Sequence, residues 1–218
     1  MKKKSVVVVL LIVSILVLDQ ILKFWVKTNM YVGQDIHLIG SWFKLHFIEN
    51  EGMAFGMVFF GGFWGKFILS VFRILASAGI GWAIYKMLKK DLSWGLIITT
   101  ALVFTGAVGN IFDCLFYGKL FSNSEYMGAI ATFLPEGSGY APFLQGKVVD
   151  MLQFDLFTIR FPDWFPFWGN SNFNFFPAIF NLADSSITVG LFTMILFYYK
   201  SLSKFVASFE TGGKVSEI

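Results

Sequence analysis

Four long apolar runs dominate the chain, and polar residues interrupt them at their ends. The first, residues 5–26, follows Met1-Lys2-Lys3-Lys4. A basic start and an apolar run also describe a signal peptide, but no small-x-small cleavage pattern follows. The run instead continues through Asp19-Gln20-Ile21-Leu22-Lys23-Phe24-Trp25, and its length suits a bilayer span of roughly 20 residues. The same reasoning predicts helices over residues 64–88, 94–116 and 179–200. Between the first two, Ile36 to Ile48 mixes β-branched and aromatic residues with polar ones, which predicts short strands. Gly52, Gly56, Gly61 and Gly62 follow. Residues 117–178 are rich in Gly, Pro, Ser and aromatics, too long for a tight connection and too apolar for a disordered linker. This segment is expected to fold against the membrane surface. The predicted fold class is an all-α integral membrane protein forming one membrane domain over residues 1–218. It has four transmembrane helices, a small extracytoplasmic β-containing region over 27–63 and a long outer-side insertion over 117–178.

Composition sharpens this picture. Hydrophobic residues make up 56% and charged residues 14%, against the about 25% charge usual in soluble domains. Trp and Tyr recur near the ends of the apolar runs, as in interfacial belts. Cys114 is the one cysteine, so no intramolecular disulfide can form, and His37 and His46 are the two histidines. A Cys/His metal cluster and a Cys-x-x-Cys redox site are thereby excluded. The small positive charge implies no nucleic-acid partner, because the basic residues follow topology. Lys2, Lys3 and Lys4, then Lys86, Lys89 and Lys90, then Lys200, Lys204 and Lys214 all fall on one side of a four-span protein. That side is expected to be cytoplasmic, with both termini inside.

This topology brings polar residues to one depth. Asp19 and Lys23 fall near the outer end of the first helix, Asn110 and Asp113 near the outer end of the third, and Asn181 and Asp184 near the outer start of the fourth. Each pair is spaced i,i+3 or i,i+4 and shares a helix face. A charge placed in a bilayer costs about 2.5–3.5 kcal/mol on insertion scales, so such groups face one another or a wet cavity. Structural explanations stand beside functional ones. Asp19 and Lys23 could form an intrahelical ion pair, and Asn110 and Asn181 could bridge helices. Asp113 and Asp184 are harder to explain by structure alone, since converging carboxylates repel unless they share a proton. Asp150, in the apolar run Val148-Val149-Asp150-Met151-Leu152, is a third acid on the outer side, or an ordinary interfacial one.

At these residues the chain resembles the lipoprotein signal peptidase (signal peptidase II) family. Asp19-Gln20-Ile21-Leu22-Lys23 resembles the family's D-Q-x-x-K, and Asn50-Glu51-Gly52-Met53-Ala54-Phe55 its N-x-G-x-A-[FW]. Gly106-Ala107-Val108-Gly109-Asn110-Ile111-Phe112-Asp113 is similar to G-x-x-G-N-x-x-D. Gly146-Lys147-Val148-Val149-Asp150 looks like the V-V-D element, and Phe180-Asn181-Leu182-Ala183-Asp184-Ser185-Ser186-Ile187 like F-N-x-A-D-x-x-I. The resemblance implies an aspartyl endopeptidase of the bacterial cytoplasmic membrane, monomeric and without cofactor or metal. Its partners would be membrane lipids and diacylated prolipoproteins, cut on the amino side of the lipidated cysteine. It implies a catalytic pair of Asp150 and Asp184, with Asn110, Asp113 and Asn181 orienting the pair and the scissile carbonyl. Asn50 would line the site, and Asp19 and Lys23 would support the fold or contact substrate.

Three departures stand out. Cys114 replaces the family's usual Arg, which leaves Lys147, Lys119 and Arg73 as substitute cations. Met53 replaces a usual Ala. The stretch from Asp113 to Asp150 is much longer than usual, which keeps Asp113 open as the alternative partner of Asp184.

Two close carboxylates share one proton, so one can take a proton from water while the other hydrogen-bonds the scissile carbonyl. Asp184, in the first turn of its helix, is expected to act as the base, because the helix dipole favours an anion there, with Asp150 as the acid. A proton-coupled transporter would also carry intramembrane acids. It would however show repeats and broken helices near mid-bilayer, whereas no internal repeat is visible here and the acids cluster at one surface. A metal-dependent hydrolase and a non-catalytic assembly factor are further alternatives.

Overall fold

A computed structural model describes residues 2–51, 63–137 and 139–210. The glycines and Met53 of the segment 52–62 lie outside these described residues. Among the described residues, four helices are long and apolar enough to cross a membrane. They are α1 (Lys2–Asn29), α2 (Phe63–Lys89), α3 (Trp94–Phe112) and α5 (Leu182–Glu210). Val-rich α1 would be a poor helix in water. In hydrocarbon every backbone polar group must be satisfied within the segment, and the helix does that. Lys27 closes the last turn of α1, and Lys86 and Lys89 that of α2, where cations complement the free carbonyls.

The fold is not purely all-α. Among the described residues, six strands form a sheet of order β1-β2-β3-β6 and a separate β4–β5 hairpin. Strands β1 (Asp35–Ile39) and β2 (Phe43–Asn50) come from the predicted strand region. The long insertion supplies β3 (Val148–Phe154), β4 (Phe157–Arg160), β5 (Asn172–Phe175) and β6 (Ile179–Phe180). The fourth long helix therefore begins at Leu182 and not at residue 179, because Ile179 and Phe180 pair with Gln153 and Leu152 of β3. The third helix also changes form. At Asp113 it widens into a π-turn (Asp113–Tyr117) and then a short α turn, α4 (Gly118–Leu120).

The chain divides into two compact units. One holds α1 as far as Gln20 together with α2, α3 and α5. Here α3 is the inner helix, with 50% of its apolar window buried against 11%, 17% and 22% for the others. Its contact with α5 is too close for side chains at certain positions. A Cβ on Gly106 would lie 2.1 Å from the Ala183 carbonyl oxygen, and one on Gly190 would lie 2.8 Å from the Thr99 carbonyl oxygen. Without a hydrophobic drive between helices in lipid, small residues let backbones approach and gain dispersion contacts. Val8, Met87, Leu96, Ile97, Ala101 and Met194 fill the interior of this unit.

The other unit runs from Ile21 through β2 and from Asp113 to Asn181. Its core joins Val26 and Met30 of α1 to Leu45 and Phe47 of β2, Val149 and Met151 of β3, and Tyr117 and Phe121. In this unit β3 is central, paired antiparallel with β2 and β6. Its first four residues are all buried, so Asp150 sits in an apolar row.

Candidate active site

In the helical unit the Asp19-Gln20 pair ties two helices together. The Ala183 N–H donates to Asp19 Oδ1 at 2.9 Å, satisfying one of the first-turn amides of α5 that has no partner within its own helix. Gln20 Nε2 donates to Asp19 Oδ2 at 3.2 Å and reaches the Gly109 carbonyl of α3 at 3.4 Å. Asp19 is 1% exposed, and its carboxyl is buried against these donors at the first turn of α5. The glycines of the Gly106–Asp113 motif complete the fit. A Cβ on Gly109 would stand 3.0 Å from the Ala183 Cβ and 3.1 Å from Asp19 Oδ2. With α3 and α5 held this close, Asn110 Nδ2 donates to Asp184 Oδ1 at 2.7 Å. Asp184 lies in the first turn of α5.

The sheet unit holds the other acids. Asp150 is 2% exposed. Asn181 Nδ2 donates to its Oδ1 at 2.7 Å, and Asn50 Nδ2 to its Oδ2 at 3.3 Å. The same Asn181 amide reaches the Val149 carbonyl at 3.3 Å. These side-chain amides orient the Asp150 carboxyl without carrying a charge of their own.

Asp113 is placed differently. Lys23 Nζ lies 2.8 Å from Asp113 Oδ2, and neither side chain is exposed. The Val149 N–H also donates to Asp113 Oδ2, at 3.3 Å. Asp113 is therefore committed to Lys23 and to the backbone of β3, one residue before Asp150. The π-turn that starts at Asp113 also leaves no room at Gly146, where a Cβ would meet the Asp113 carbonyl oxygen at 2.1 Å. The Gly146 N–H donates to the Cys114 carbonyl at 2.9 Å, which fixes the entry to β3. Lys23, from the first helix, is thus a cation beside Asp113 in addition to the three positions named for the missing Arg.

Sequence reasoning missed a second buried cluster in this unit. Lys27, one helical turn beyond Lys23, hydrogen-bonds Glu49, the residue before Asn50, and reaches Ser124 Oγ at 3.0 Å. Ser124 Oγ in turn donates to Glu49 Oε1 at 3.2 Å. Lys147 Nζ lies 3.3 Å from Glu49 Oε2, an ion pair too poorly aligned to be a hydrogen bond. The Tyr140 ring sits under both ammonium groups, with Lys27 Nζ 4.9 Å and Lys147 Nζ 5.6 Å from its centre. Burial pushes the Tyr140 phenol well above its ordinary value of 10.0, although it accepts a hydrogen bond from the Lys147 N–H. The only signal for this cluster was the i,i+4 spacing of Lys23 and Lys27, because Ser124 and Tyr140 lie in the insertion.

Comparison with known proteins identifies the class. Residues 11–200 match the family model described as signal peptidase (SPase) II. A lipoprotein signal peptidase of Porphyromonas gingivalis is 43% identical over 201 residues, covering 90% of this chain and 84% of the relative. One from Amoebophilus asiaticus is 37% identical, covering 89% of this chain and 78% of that protein. A bacterial membrane enzyme solved by the in meso method at 2.3 Å resolution shares the fold, with a TM-score of 0.56 at 21% identity, covering 97% of this chain and 94% of that one. These likenesses define a membrane-bound protease. The chain belongs to the signal peptidase II family.

Proposed function

We propose that this protein is an aspartyl endopeptidase that removes signal peptides from diacylglyceryl-modified prolipoproteins, cutting on the amino side of the lipidated cysteine. The catalytic pair is Asp150 and Asp184. The reading rests chiefly on the asparagine clamps. Asn181 holds Asp150 and Asn110 holds Asp184, each at 2.7 Å. Asn181, the clamp of Asp150, also precedes Asp184 by three positions in the chain, so one short segment carries both a clamp and a carboxylate.

The pair shares one proton. The ionised carboxylate removes a proton from water, whose oxygen attacks the scissile carbonyl carbon, while the protonated one hydrogen-bonds the carbonyl oxygen. On collapse the C–N bond breaks and the amine of the lipidated cysteine leaves with a proton from the pair. The asparagine amides hold both carboxylates oriented without supplying a competing charge. Asp113, Lys23 and Asp19 act as positioning residues through β3 and the first turn of α5. The protein is read as a monomer in the bacterial cytoplasmic membrane, with both termini cytoplasmic. Residues 27–63 and 117–178 would lie outside and the site near the outer leaflet, where a lipidated cysteine resides.

The experiment is cleavage of a diacylated prolipoprotein by purified protein, comparing wild type with Asp150→Asn, Asp184→Asn and Asp113→Asn. The first two should abolish cleavage while the protein still inserts. Activity retained in Asp150→Asn would transfer the role to Asp113, and activity retained in Asp184→Asn would end the aspartyl mechanism.

A further inference from the structure

The β4–β5 hairpin has two chemically distinct faces. Phe157 pairs with Phe175 and Ile159 with Phe173, while Thr158 pairs with Asn174 and Arg160 with Asn172. Directly opposed residues of an antiparallel pair share a face, so one face is wholly apolar and the other wholly polar. The apolar side chains are about half exposed, with Phe157 at 51% and Phe173 at 50%. The connecting loop continues the theme. Phe167 is 100% exposed and Trp164 78%.

The loop is built, not slack. Phe161 and Phe165 stack at 4.7 Å, and the backbone closes through Phe161 N–H to the Ser171 carbonyl at 3.0 Å and Asn170 N–H to the Phe161 carbonyl at 3.1 Å. Phe167 is held at φ 69°, a left-handed conformation unfavourable for a bulky side chain. Backbone strain is thus accepted where an aromatic ring is fully presented outward.

A two-stranded hairpin is marginal in water, and a soluble one would not expose this much aromatic surface. Residues 156–180 carry only Arg160 and Asp163 as charges. The hairpin is also leashed to a membrane helix, because Leu182, the first residue of α5, lies seven positions after Phe175. At about 3.3–3.6 Å per residue the leash reaches at most about 25 Å, so the hairpin samples the lipid boundary at high effective concentration. Trp favours that boundary, and Trp and Phe on one face with Arg on the other is the pattern of interfacial amphipathic segments.

We propose that the β4–β5 hairpin is an interfacial membrane anchor that lays its apolar face and the Trp164–Trp168 tip into the lipid leaflet where α5 begins. Thr158, Arg160, Asn172 and Asn174 face water. It is the sheet counterpart of an amphipathic interfacial helix. The inference needs the membrane helices but not the aspartate chemistry, and its test reads depth, not cleavage.

The full chain is reconstituted in phosphatidylethanolamine–phosphatidylglycerol bilayers with a fluorophore at Phe167→Cys or at Asn172→Cys; Cys114 is buried and stays unlabelled. The label at 167 should be quenched by lipids brominated near the headgroup and shielded several-fold from an aqueous quencher relative to the label at 172. The label at 172 should stay open to the aqueous quencher. Trp164→Cys serves as a second tip probe if the first variant loses its thermal transition. Equal aqueous access at 167 and 172 would overturn the anchor. So would protection of 167 from both quenchers, which would mean that protein covers the tip.

Discussion

Lys23 Nζ and Asp113 Oδ2 sit 2.8 Å apart with neither side chain exposed, so a residue of the first helix neutralises the acid that ends the third. A buried pair of this kind adds little over a well-packed apolar pair, but losing one partner leaves an uncompensated charge. Lys23→Met should therefore lower stability by about 3–5 kcal/mol, and adding Asp113→Leu should recover part of the loss. Thermal unfolding in detergent of the two single variants and the double variant measures this. A double variant as unstable as the sum of the singles would refute the pairing.

Asn181 donates to Asp150 at 2.7 Å and to the Val149 carbonyl. Removing a hydrogen bond to a charged group costs about 1.5–3 kcal/mol. Asn181→Ala should then reduce kcat about 10- to 150-fold, taking 1.36 kcal/mol per decade. Single-turnover cleavage is the measurement, and an unchanged kcat would remove Asn181 from the machinery.

Glycine positions make opposite predictions. Gly106→Ala would put a methyl 2.1 Å from the Ala183 carbonyl oxygen, so α5 must shift and carry Asp184 from Asn110. Both folded yield and cleavage should fall sharply. Gly79→Ala, with nothing within 4 Å of its Cβ position, should be neutral or stabilising by up to about 1 kcal/mol. Thermal midpoints and cleavage rates of the two variants test the contrast.

Glu49 holds Lys27 by a hydrogen bond and Lys147 by an ion pair. Glu49→Ala leaves the buried Lys27 without its countercharge and should cost about 3–5 kcal/mol, whereas Glu49→Asp should lose less. Because Glu49 precedes Asn50 on β2, cleavage should drop in parallel with stability. A stable but inactive Glu49→Ala protein would instead place Glu49 in the chemistry itself.

The outer edge of the sheet should respond to pH. Partial burial alone would raise the Asp35 carboxyl, but hydrogen bonds from Lys44 and His46 outweigh it and hold the group below its ordinary 3.8. Its stabilising contribution is present above pH 3.8 and is lost as pH falls through the lower folded value. Burial would lower Lys44, yet its bonds to Asp35 and Asp155 raise it above 10.5, so its contribution persists below 10.5 and disappears as pH rises past the folded value. The β1–β2 edge should be firmest between about pH 4 and 10, by under about 1 kcal/mol because the groups are partly exposed. Amide exchange of β1 in wild type and Asp35→Asn across this range would show it. A difference that grows below pH 3 would contradict the sign.

The four membrane-length helices were legible in the sequence because a bilayer demands long apolar runs and leaves few alternatives for the backbone. The motif acids were legible for the same reason, since a charge in such a run is costly enough to stand out. The insertion was not legible. Its strands β3 to β6 alternate weakly, and β6 was absorbed into the start of the fourth helix because Ile179 and Phe180 are as apolar as a helix requires.

Partners were beyond reach as well. Side-chain spacing on one helix brought Asp19 and Lys23 to one face, but it could not show that Asp19 caps the first turn of α5 or that Lys23 pairs with Asp113. The sequence alone determined which residues were too polar for lipid. Only the tertiary structure decided which of them meet, because a hydrogen bond depends on atoms brought within 3 Å or so by packing that no local pattern encodes.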